Sequence, residues 1–165
     1  MKALNPNAQR LRSIDELEQN ILSLSRQINV ATYELIVMVR EFDERAGFLK
    51  WCQQNTAEWL AWRCDISMNA AREKVRVAHA LKALPGISAA FASGELSYTK
   101  VRAMTRVATR ENEQDLLEFA LRHTATFVEQ RCRELRFGDA GSIDVAQRAQ
   151  ESRSLRISRN AERAM

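Results

Sequence analysis

The run Ser13 to Phe42, SIDELEQNILSLSRQINVATYELIVMVREF, opens with Ser13-Ile14-Asp15-Glu16, a capping box. In that motif the serine accepts a backbone N–H while the glutamate reaches back to the cap. Apolar residues then recur at Ile14, Leu17, Ile21, Leu24, Ile28, Ala31, Leu35, Met38 and Phe42. The spacings alternate three and four through four heptads, which is the pattern of a packed helix seam. No glycine or proline interrupts the run before Gly47, so a single helix is expected over about 14–46. At 1.5 Å per residue it would reach roughly 45 Å, more than one small domain needs. Further apolar positions at Leu22, Val30, Ile36, Val37 and Val39 widen the stripe. The expectation is therefore mixed: the C-terminal half enters the core, and a homodimer contact forms through the long N-terminal helix.

The rest of the chain agrees with a helical reading. Its 165 residues hold one domain, or one domain with an arm. With 45% hydrophobic residues, five glycines and two prolines, the chain has material for a core and few helix breakers. The fold class is all-α: a compact multi-helix bundle with one long N-terminal helix and a helix-turn-helix-like centre. No stretch approaches the roughly 20 apolar residues of a membrane span. The polar start carries no signal-peptide pattern, and the protein reads as cytoplasmic. Cys52, Cys64 and Cys132 are an odd number without a CxxC knuckle, so they read as buried free thiols rather than zinc ligands with His79.

Net charge is +4, and its distribution is uneven. From Ala57 to Arg106 there are eight basic and four acidic residues, while the remainder is balanced at 17 of each. The whole excess lies in the middle, where it could face a polyanion.

That middle contains two short helices and a tight turn. Asn55-Thr56-Ala57-Glu58 is a second capping box, opening a helix with Trp59, Leu60 and Trp62. The helix should stop near Cys64-Asp65, with Ser67 capping the next, which runs from Met68 to about Ala83. On this second helix Met68, Ala71, Val75, Ala78 and Leu81 form an apolar side. Asn69, Arg72, Glu73, Arg76 and His79 lie opposite, with Lys74 flanking them. Asparagine and arginine are residues that reach base edges and phosphates in a major groove. An ordinary amphipathic surface helix would carry a similar pattern. Next, Ile87 to Ser93 forms a helix closed by Gly94, and Leu96-Ser97 leads into another. There Val101, Met104 and Ala108 point inward, while Thr99, Arg102 and Arg106 line the outer face with Lys100 nearby. The candidate site for duplex DNA is therefore Asn69, Arg72, Lys74, Arg76, Lys100, Arg102 and Arg106.

The runs Trp59-Leu60-Ala61-Trp62-Arg63-Cys64, Ala70 to Ala78 and Gly94 to Ala103 resemble the 13E12-repeat family, also called domain of unknown function 222. The likeness extends from about Ile14 to Phe137. It implies a bacterial helical region that many relatives place before an HNH-type endonuclease domain. The Leu84-Pro85 to Arg102 stretch also looks like the helix-turn-helix region of ParB-type partition proteins, an analogy that points to DNA. Two departures matter. Asp65 stands where the family usually has glycine, and aspartate is among the residues that tolerate a left-handed turn. After Phe137 there is no histidine or cysteine, so the nuclease half is expected to be missing, as in a truncated relative.

Domain organisation follows: a helical domain over 1–137 and a polar, arginine-rich linker or tail over 138–165. Ser142 could start a helix through Ala149, but Arg148, Arg153, Arg156, Arg159 and Arg163 leave it little to bury. No catalytic constellation emerges. His79 and His123 lie in different segments, and no phosphate loop, nucleophile elbow or HExxH motif occurs. Asp43-Glu44 and Glu111-Glu113 read as ordinary helix-surface or helix-start charges. The reading is therefore no enzyme, no cofactor and no metal. Three roles remain open: a DNA-binding module, an assembly module built on the long helix, or one part of a nuclease whose HNH domain is encoded separately. The expected core comprises Leu35, Met38, Phe42, Trp59, Trp62, Val75, Leu81, Phe91, Leu96, Val101, Leu117 and Phe127.

Overall fold

Ser13 begins the first helix as its sequence promises. Its hydroxyl accepts from Glu16 N at 3.1 Å, and Glu16 Oε2 accepts from Ser13 N at 2.9 Å. The computed structural model describes residues 12–138; the expected arginine-rich tail lies outside them. Among the described residues there are seven α-helices and no strand. They are α1 (Ile14–Glu44), α2 (Thr56–Arg63), α3 (Met68–Ala80), α4 (Pro85–Ala92), α5 (Tyr98–Met104), α6 (Glu113–Arg122) and α7, residues 125–138. Single 3-10 turns, Gly47–Trp51 and Leu81–Ala83, follow α1 and α3. By their contacts the described residues form two compact units that divide between Tyr98 and Thr99.

In the first unit the C-terminal part of α1 packs against α2, α3 and α4. The core gathers Ile36 and Val39 of α1, Leu60 of α2, Ala71, Val77 and Ala78 of α3, and Ile87 and Phe91 of α4, with Leu81, Leu84 and Leu96 between elements. Phe91 meets Tyr33 edge-on at 5.7 Å, a favoured aromatic arrangement. The turn after α4 is bound to α1. Arg26 Nε donates to Ser93 O at 2.9 Å and Asn29 Nδ2 to Gly94 O at 3.2 Å, satisfying carbonyls that a helix end leaves unpaired. Gly94 sits at φ +78, and a Cβ there would come within 2.8 Å of Arg26 O. Glycine is required on both counts. At the far end of α1, Asp43 pairs with His79 at 2.7 Å and Glu44 with Lys82 at 3.2 Å. These two carboxylates thus join elements rather than merely solvating a surface.

The second unit is smaller. Val101 and Met104 of α5, Leu116, Leu117 and Ala120 of α6, and Val128 and Cys132 of α7 are buried. The link before α6 is fixed by Asn112, whose side chain accepts from Thr109 N at 2.7 Å and donates to Val107 O at 3.1 Å.

Three expected core residues stand outside. Met38, Trp62 and Phe127 are 59%, 55% and 59% exposed. On α1 the buried positions are Ile36 and Val39, which flank Met38; on α7 the buried neighbour is Val128. Where apolar residues crowd adjacent positions, helical spacing fits more than one face, and the packing partner decides. Trp62 instead lies edge-on to Trp51 at 6.1 Å. Leu35, Phe42, Trp59 and Val75 are half-buried, Phe42 and Trp59 with ring centroids 4.3 Å apart. Val77 and not Val75 takes the fully buried place on α3. Of the three thiols only Cys132 is buried; Cys52 and Cys64 are exposed.

Candidate nucleic-acid interface

Asn55 caps α2 by accepting from Glu58 N at 2.9 Å. Glu58 returns its bond to Gln54 N at 3.1 Å, one residue before the cap, so the second capping box is displaced by one position. After Arg63 the chain turns through Cys64-Asp65-Ile66-Ser67 with Asp65 at φ +51, the left-handed conformation expected of that residue. Ser67 then caps α3, its hydroxyl accepting from Ala70 N at 3.2 Å. The result is two short helices packed together across a four-residue turn.

The four candidates on α3 have different fates. Asn69 and Arg72 are exposed. Arg76 is half-buried and meets Glu73 through two 3.3 Å hydrogen bonds, so part of its charge is already answered. Lys74 leaves the polar face altogether. Its ammonium lies 4.6 Å from the Tyr98 ring centre, a cation–π contact, and burial lowers its pKa from the ordinary lysine value. His79 is drawn to Asp43, as described above.

In the second unit, Lys100 donates to Ala120 O at 2.7 Å near the end of α6, and burial lowers its pKa too. It serves the fold. Arg102 on α5 and Arg106 in the turn that follows it are both exposed, Arg102 bonding Glu129 of α7 at 3.0 Å. Beside them opens a groove of about 430 Å³ that sequence reasoning did not find. Arg102 and Arg106 line one side, Arg133 and Arg136 the other, with Glu129 and Phe137 completing the rim. Four guanidinium groups against one carboxylate give a concave surface of strongly positive charge. Guanidinium forks match phosphate oxygens in pairs, which ammonium groups do not. The sequence held half of this signal, since Arg102 and Arg106 are four apart and Arg133 and Arg136 three apart, spacings that would put each pair on one face of a helix. That the two faces share a groove is a tertiary fact. Cys132 also lines it, but burial pushes its thiol up to about 11, so at neutral pH it is neither an anion nor an activated nucleophile.

A second feature lies on the first unit. Trp51 and Trp62 are exposed, and the Arg63 guanidinium lies 5.1 Å from each ring centre. No cluster of histidine, cysteine or carboxylate side chains able to hold a metal ion occurs among the described residues. No helix of the described residues is long and apolar enough to cross a membrane.

The fold defines an all-α protein that presents arginine-bearing helix faces in both of its units. It belongs to the family described as Domain of unknown function (DUF222), whose family model matches residues 15–162. The match includes most of the stretch that its composition marks as a tail. No curated protein and no solved structure matches the chain.

Proposed function

We propose that this chain is a duplex-DNA-binding module that holds the nucleic-acid backbone while any cutting chemistry comes from elsewhere, in keeping with the resemblance to HNH-associated helical regions. One observation carries the reading: the groove of the second unit, with Arg102, Arg106, Arg133 and Arg136 around one concavity. Such a surface suits phosphates, which supply most of the affinity of DNA-binding proteins and little of the specificity. The α2–turn–α3 corner is compatible with a helix-turn-helix role, with Asn69 and Arg72 as its base- or phosphate-reaching residues and Arg76 a weaker contributor. Lys74 and Lys100 are removed from the candidate interface because their ammonium groups are engaged within the fold.

The test is fluorescence-anisotropy binding to mixed-sequence duplex DNA across a salt series. Wild type should bind saturably and weaken steeply as salt rises. Each phosphate contact contributes about 0.9 to the slope of log affinity against log salt, so Arg133→Ala/Arg136→Ala should lower that slope by roughly 2. Arg72→Ala should weaken binding separately. A folded protein that shows no binding at low salt would end this reading.

A further inference from the structure

The first half of α1 lies outside the core. Ile14, Ile21, Leu24 and Ile28 are 57–77% exposed, Leu17 and Met38 are exposed as well, and no described residue before Asn29 is even half-buried. The seam is open from Ile14 to Met38, with Leu35 alone half-covered by its own chain. That is about 37 Å of continuous apolar stripe. Proteins that work as monomers rarely leave such a patch in water. Apart from Phe42, which lies past the open stretch and meets Trp59, tertiary contacts of the same helix fall elsewhere on its circumference. Arg26, Asn29, Tyr33, Ile36 and Asp43 face the chain's own turns and helices, and Ile36 is rotated about 100° from the seam residue Leu35.

The composition of the seam says what covers it. In heptad terms its a positions are Ile14, Ile21, Ile28 and Leu35, and its d positions Leu17, Leu24, Ala31 and Met38. Isoleucine at a with leucine at d favours two parallel strands, because each side chain then fits the hole its own kind presents. The flanking e and g positions from 13 to 39 are Ser13, Glu18, Asn20, Ser25, Gln27, Thr32, Glu34 and Val39. Charges of both signs at e and g are what select a different, oppositely charged helix, and along this seam only Glu18 and Glu34 are charged, with no cation among them. In a parallel pair the g-to-e neighbours become Ser13–Glu18, Asn20–Ser25 and Gln27–Thr32 between copies, with no like charges opposed.

We propose that α1 pairs with α1 of a second copy of this chain as a parallel, in-register coiled coil along the open seam. The pairing goes beyond the DNA-binding reading and does not depend on it. It yields a two-fold assembly whose interface is the same surface on both copies, the closed arrangement commonest among homo-oligomers.

Sedimentation equilibrium on the full chain should give a dimer. Ile21→Glu/Leu24→Glu should convert it to a monomer that keeps a cooperative thermal transition, since both side chains are exposed in the isolated chain. To fix the direction, Ile14→Cys is placed in a Cys52→Ser/Cys64→Ser background, which removes the exposed thiols. A parallel pair brings the two introduced cysteines together, and mild oxidation should link most of the protein as a dimer. A monomer at every concentration, a dimer unaffected by the glutamates, a dimer that does not cross-link through position 14, or a trimer would each overturn the proposal.

Discussion

Residues 14–28 and 29–44 of α1 carry the same alternation of apolar residues and meet opposite environments. The first stretch has the more regular seam, isoleucine and leucine in strict order, yet every one of its side chains is exposed. The second has a less regular seam, with Ala31, Met38 and Phe42, and it is this half that enters the core. It does so with Ile36 and Val39, residues that the heptad pattern treats as supernumerary. Periodicity marks a face that must be covered. It does not say by what, and where two apolar faces share one helix it does not rank them.

The strongest way to break this comparison is to make one substitution in both halves. Ile36→Ala removes a side chain that is 1% exposed and should cost about 2–5 kcal/mol in chemical denaturation, whatever the protein concentration. Ile28→Ala at dilution should cost no more than about 0.5 kcal/mol, as expected for an exposed site. Its cost should rise with protein concentration, because pairing stabilises only the folded chain that pairs. Equal, concentration-independent losses at both positions would mean that the two halves are buried alike.

Gly94→Ala probes the junction where the halves meet. The substitution forces a side chain into the left-handed region and against the Arg26 carbonyl, so a loss of about 1–3 kcal/mol is expected in thermal unfolding. An unchanged transition would show that the turn after α4 is not seated on α1. The smallest effect concerns the far end of the helix. Asp43→Asn weakens the pair with His79, whose side chains are 26% and 43% exposed, and should cost about 0.2–1 kcal/mol. A larger loss would indicate that this pair, more than Ile36 and Val39, holds the C-terminal half in place.

Much of the fold was legible without coordinates because helix ends are governed by local chemistry. Ser13, Asn55 and Ser67 each accept the backbone N–H that their positions promise, and Asp65 adopts the left-handed turn. The candidate interface was less legible. Arg72, Arg102 and Arg106 are where an outward face requires, but Lys74 and Lys100 look identical to them in sequence and are drawn into the fold by Tyr98 and by the Ala120 carbonyl. Arg133 and Arg136 escaped notice because nothing local distinguishes them from other helix-surface arginines.

The sequence by itself determined that this protein is helical, where most helices begin, and which residue types could meet an anion or a neighbouring helix. These properties depend on spacings of three and four residues and on capping groups within reach of their own backbone. Only the tertiary structure decided that Trp62 stands outside, that Ile36 and not Met38 enters the core, and that four arginines from α5, the turn after it and α7 surround one groove. Each of those outcomes depends on which distant surface a side chain meets, and no residue carries that information alone.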